Sequence, residues 1–178
     1  AGVKNFSHPS DILSTGFGQS SSVTALQMVQ AYSAIFNDGV MMRPYVVEKI
    51  VDSYSNETIK SWSSEEVGQP ISAQSAEYVR ELMGRVVSEE YGSGNRYAME
   101  DVDVVAKTGT GQIAGENGYD DEVYTSSVMM AAPADDPKVM VYYCFVSENI
   151  IDFDEEPIKN VFKEALIAAN VTSSKSRS

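Results

Sequence analysis

The 178-residue sequence has one cysteine, one histidine and one tryptophan, and half as many basic residues (13) as acidic ones (26). It also lacks any apolar run near the ~18 residues that a membrane-crossing helix needs. Each scarcity removes a class. A lone cysteine, Cys144, excludes an internal disulfide, and its place in the apolar run 139–146 leads us to expect a buried thiol acting as a small core hydrophobe. One histidine, His8, in a polar stretch and without a Cys/His cluster, leaves no donor set for a transition metal, so neither a metal nor a cofactor is expected. A net charge of -13 with no basic run would repel phosphate backbones and anionic lipid, which argues against nucleic acid as a partner. The first residues carry neither the basic nor the apolar stretch of a signal peptide, and the chain reads as soluble and untargeted.

What is present is enough for one domain, or a large part of one: 43% of residues are hydrophobic. Ala25, Met28, Val29, Tyr32, Ile35 and Phe36 recur on one helical face, with Thr24 and Gln27 as a capping-box pair at the start and Asn37-Asp38-Gly39 as the stop. Segments 45–54 and 58–62 read as a hairpin around Ser55-Asn56-Glu57. A second helix is predicted over 72–88, with Ala76, Val79, Met83, Val86 and Val87 inward, closed by the glycine-containing 91–95. Three strand-like runs follow at 102–108, 124–132 and 139–147, the last two joined by the turn 133–137. A final helix carries Ile158, Val161, Phe162, Ala165, Leu166 and Ala169, and the Ser/Lys/Arg-rich end from 171 is expected to be disordered. The order implies an α+β fold, an antiparallel sheet of about three strands with helices packed on it.

The chemistry-bearing motif is Lys107-Thr108-Gly109-Thr110, placed at the end of the apolar strand 102–106. An ammonium, two hydroxyls and a residue without a side chain on one short edge suit an anionic, extended peptide. The cation and hydroxyls can hold a carboxylate, and Gly109 lets a ligand backbone approach the strand. A strand end turning through glycine would account for the same tripeptide without any function.

Context decides between these readings. Gly16-Phe17-Gly18-Gln19 followed by Ser22-Val23-Thr24-Ala25-Leu26-Gln27 resembles the GQ-x-x-x-VTPLQ segment of the class B penicillin-binding proteins. Ala31-Tyr32-Ser33-Ala34, Gly39 and Arg43-Pro44 continue the likeness. The helix at 71–87, Lys107–Thr110 with Gln112 (KTGT-x-Q), and 124–137 with its APADDP turn follow in the family's order. The resemblance covers roughly residues 10 to 168 and implies the C-terminal part of a serine D,D-transpeptidase domain, about residues 1–170. The implied reaction is acyl transfer from a serine in an S-x-x-K motif, with an S-x-N motif relaying protons. No serine here has lysine three residues later, so the nucleophile is expected upstream of Ala1. Ser93-Gly94-Asn95 and Ser147-Glu148-Asn149 match S-x-N in letters, but in places that differ from the family's.

By resemblance, Lys107 would organise the proton network, Thr108 and Thr110 would bind the carboxylate of a D-Ala-D-Ala stem peptide or a β-lactam, and the Thr110 N–H would help stabilise the oxyanion. Gly109 would line the site, and Gln112 with the loop 111–122 would shape its rim. The family sheet has five strands, two of them from the chain before the nucleophile, so the strand 139–147 should present an unpaired edge to the upstream half or to a second copy. The parent protein would stand on the outer face of the bacterial cell membrane, held by an N-terminal segment, among wall-synthesis or division proteins. Two other readings remain open from sequence: a catalytically silent scaffold of a wall-building complex, and a β-lactam sensor or hydrolase.

Overall fold

The computed structural model describes residues 9–16, 18, 22–115, 118–148 and 154–171; His8, Phe17, Gln19, Asn149 and the tail from 172 lie outside them. Among these residues four α-helices, α1 (Pro9–Thr15), α2 (Ala25–Phe36), α3 (Ala73–Ser88) and α4 (Glu156–Ala168), accompany three small antiparallel sheets. The strands are β1 (Met41–Met42), β2 (Lys49–Val51), β3 (Thr58–Ser61), β4 (Glu66–Gly68), β5 (Val105–Gly115), β6 (Gly118–Ala132) and β7 (Val139–Glu148). β1 pairs with β4, β2 with β3, and β5-β6-β7 form the main sheet. The α+β architecture read from the sequence is the one observed. Among the described residues no helix is long and apolar enough to cross a membrane, and no cluster of metal-ligating side chains occurs.

α2 begins where its capping box places it: the Thr24 hydroxyl accepts from the Gln27 N–H and the Gln27 side chain accepts from the Thr24 N–H. It stops where Asp38 and Gly39 turn left-handed, at φ 48° and 91°. Gly39 also lies against the entry to α3, and a Cβ there would collide with the Ile71 carbonyl oxygen. We expect Gly39→Ala to destabilise the domain by more than about 1 kcal/mol, since both φ and space forbid the methyl. A melting scan checks this, and an unchanged midpoint would show that the α2–α3 junction yields freely. The same junction is tied by Arg80, whose guanidinium donates to the Ile35 carbonyl (2.8 Å) and pairs with Asp38 (3.1 Å). Buried Ser33 donates to the Gln30 carbonyl and accepts from the Met42 N–H, fixing β1 against α2.

The main sheet carries an apolar cluster on each face. On one side Ala106, Val128 and Met130 pack with Ile158, Phe162 and Leu166 of α4. On the other, Val105 and Ala131 pack with Met83 of α3, flanked by Tyr32 and Phe36 of α2. Helices on both faces explain why the run 139–146 scarcely alternates.

Three expectations need correction. Cys144 is exposed, not in the core, because among the described residues β7 is an end strand and no β7 residue is fully buried. β5 starts at Val105 and runs to Gly115, so Lys107–Thr110 lies within the strand and not at its end. Much of the predicted loop 111–122 is thus extended hairpin, in which Gln112 pairs opposite Tyr124. Its polar, glycine-rich letters hide a strand that pairing to β6 defines. The 45–54 strand shrinks to β2, while α1 and the β1–β4 pair were not foreseen.

Candidate active site

β5 occupies one end of the three-stranded order β5-β6-β7, with β6 on its only strand-paired side among the described residues. Lys107 lies opposite Met129, Thr108 opposite Val128, Gly109 opposite Ser127 and Thr110 opposite Ser126. Side chains alternate along a strand, so these four residues are divided between the two faces. Lys107 and Gly109 share the side of Val105, which packs toward α3, and Thr108 and Thr110 share the side of Ala106, which packs toward α4. What they have in common is the strand edge. Lys107 and Thr110 are exposed there and Thr108 and Gly109 partly so. The Lys107 ammonium folds back onto its own strand and donates to the Thr108 carbonyl at 2.5 Å.

Gly109 has a neighbour that the sequence did not reveal. A Cβ at this position would sit 2.7 Å from the Ser127 hydroxyl on β6, so any larger residue here would require that hydroxyl to rotate away. Ser127 reaches the Gly109 carbonyl at 3.5 Å, the long limit of a hydrogen bond, and also meets the Tyr142 side chain on β7. Burial, and next the neighbouring Cys144, push the Tyr142 phenol above its ordinary value, against a smaller lowering by the Ser127 hydrogen bond. Tyr142 is therefore a neutral hydrogen-bonding group at physiological pH, not a phenolate.

Behind Thr108 stands the segment that closes α3. The Ser93 and Thr108 hydroxyl oxygens are 2.7 Å apart. Asn95, two residues on, donates its amide to the Val87 and Glu89 carbonyls at 2.6 Å each, satisfying acceptors that the end of α3 leaves open. Ser93-Gly94-Asn95 thus meets the lysine-containing strand just beyond the end of α3, on the face that carries Thr108 and Ala106, to which Val87 also packs. Nothing in the letters reveals the Ser93–Thr108 contact, and for Ser127 only the pairing register places it beside Gly109.

The Transpeptidase family, described as the penicillin binding protein transpeptidase domain, matches residues 1–166. The chain belongs to this family. It is 35% identical over 134 residues to Stage V sporulation protein D of Bacillus subtilis, covering 75% of this chain and 20% of that protein. It is 34% identical over 122 residues to the peptidoglycan D,D-transpeptidase PbpA of Mycolicibacterium smegmatis, covering 67% and 23%. Among solved structures, penicillin binding protein 2X of Streptococcus thermophilus superposes at a TM-score of 0.79 with 26% identity, covering 97% of this chain and 27% of that one. Penicillin binding protein 3 of Mycobacterium tuberculosis in complex with ampicillin gives 0.74 and 26%, covering 90% and 38%. The chain therefore spans about a fifth of the length of these curated relatives.

Proposed function

We propose that this chain is the C-terminal part of a serine D,D-transpeptidase that cross-links peptidoglycan stem peptides through an acyl-enzyme and is acylated by β-lactams. One observation carries the reading: in a chain of the transpeptidase family, Lys107-Thr108-Gly109-Thr110 lies on the end strand of the sheet, with its ammonium and hydroxyls at an accessible edge. In this reading a D-Ala-D-Ala terminus lies along β5. The Thr108 and Thr110 hydroxyls take its carboxylate, the Thr110 N–H faces the developing oxyanion, and Lys107 holds the proton network in place. Gln112 borders the cleft further along the same strand.

The serine nucleophile and its lysine come from another part of the polypeptide, because no serine in the 178 residues is followed by lysine at the third position. The outer edge of β7 is where that part adds its strands. The 178 residues alone are inactive in this reading, and the full-length protein works outside the cytoplasmic membrane, where its substrate is. Relatives named as a D,D-transpeptidase and a structure bearing ampicillin support it.

The test is to treat the full-length protein with a labelled penicillin and find the adduct by peptide mass. We expect one adduct, on a serine outside these 178 residues. A correctly folded protein that takes up no label at high drug concentration would overturn the transpeptidase reading in favour of a silent scaffold.

A further inference from the structure

We infer that Ser93 is a positioning residue for the carboxylate subsite: its hydroxyl donates to Thr108 and thereby commits the Thr108 proton to the ligand. The inference rests on the reading of Thr108 as a carboxylate-binding group and adds a residue 15 positions away in sequence to that site.

Proton counting gives the argument. The two hydroxyl oxygens are 2.7 Å apart, close enough that one must donate to the other. A carboxylate only accepts, so when it binds, Thr108 must give it the single proton its hydroxyl has. Ser93 then has to be the donor of the pair. Without Ser93, Thr108 is free to rotate and spend its proton on water or on a backbone carbonyl.

Ser93 can act in this way because it is held rigidly. Gly92 and Gly94, on either side, donate to the Glu89 and Val86 carbonyls at the end of α3. A Cβ on Gly92 would collide with the Val86 carbonyl, and one on Gly94 would come within 3.0 Å of the Val86 side chain. Asn95 adds its two 2.6 Å bonds to Val87 and Glu89. Gly92, Gly94 and Asn95 thus grip the last turn of α3, which is itself packed on β5 through Met83 and Val105, and the side chain of Ser93 between them ends on Thr108. The Ser93 side chain is exposed and takes no part in the core, so its loss costs no packing.

The test uses the full-length protein and two probes, benzylpenicillin and its methyl ester, which differ only in the carboxylate. Ser93→Ala is expected to slow acylation by benzylpenicillin about tenfold, the effect of one hydrogen bond, and to leave the methyl ester unaffected. Ser93→Thr, which restores a hydroxyl, should return the rate, and Ser93→Ala should add nothing in a Thr108→Val background. A wild-type rate in Ser93→Ala, or an equal loss with both probes, overturns the inference while the transpeptidase reading stands. A wild-type protein that is not acylated by either probe overturns both.

Discussion

Lys107→Ala in the full-length protein is expected to slow acylation by a labelled penicillin by about 10²- to 10³-fold, the usual loss when one preorganised charged donor is removed from an acyl-transfer site. The size of the effect follows from what the substitution takes away. Lys107 is exposed at the edge of β5 and belongs to neither apolar cluster, so alanine removes a cation and no packing. Its ammonium donates to the Thr108 carbonyl, which keeps the charge beside the strand that would receive the ligand. A group so placed contributes only if it meets charge that develops during the reaction, and such contributions appear in the rate of the covalent step more than in binding. Time-resolved labelling separates the two: the expected loss lies in the limiting acylation rate, with a smaller change in the half-saturating drug concentration. Lys107→Arg keeps the charge but spreads it over a planar fork, and should recover only part of the rate. An alanine variant that labels at the wild-type rate would mean that Lys107 is only a surface residue of β5.

The elements legible in the sequence are those whose signals are local. Thr24 with Gln27, and Asp38 with Gly39, mark both ends of α2 because capping and left-handed turns are decided within a few residues. The inward faces of α3 and α4 follow in part from helical spacing: Ala76, Met83, Val87, Ile158, Phe162 and Leu166 are buried as that spacing implies, whereas Val161 and Ala169, which the same spacing grouped with them, are exposed. Apart from α1, a short local helix, what escaped depends on residues far apart in the chain. β1 exists only because Met41 meets Gly68, and the length of β5 only because Tyr119 and Tyr124 lie opposite Ala114 and Gln112. Cys144 sits in an apolar run yet is exposed, since a run of letters does not say that its strand ends a sheet. The lysine-containing motif was readable as a motif, but its division between two faces, the Ser127 hydroxyl against Gly109 and the Ser93 hydroxyl against Thr108 are products of register and topology.

The largest stability effect is expected at Phe162, and it bears on the site from below. Its side chain is fully buried on α4 against Ala106, Val128 and Met130, and Ala106 immediately precedes Lys107. Phe162→Ala should destabilise the domain by about 3–5 kcal/mol, because the transfer cost of the ring is joined by that of a cavity which β-sheet neighbours cannot close. In a domain of this size that corresponds to a fall in melting temperature on the order of 10 °C. Val161, its neighbour on the same helix, faces out at 63% exposure, and Val161→Ala should stay within about 0.5 kcal/mol of wild type. Acylation below the Phe162→Ala transition should fall far less than in Lys107→Ala, since the cavity loosens the floor of β5 without removing a group from its edge. If the two adjacent substitutions proved equally mild, α4 would not be the support of this sheet face. If Phe162→Ala abolished acylation while still folded, the position of β5 would depend on α4 as closely as the proposed chemistry depends on Lys107.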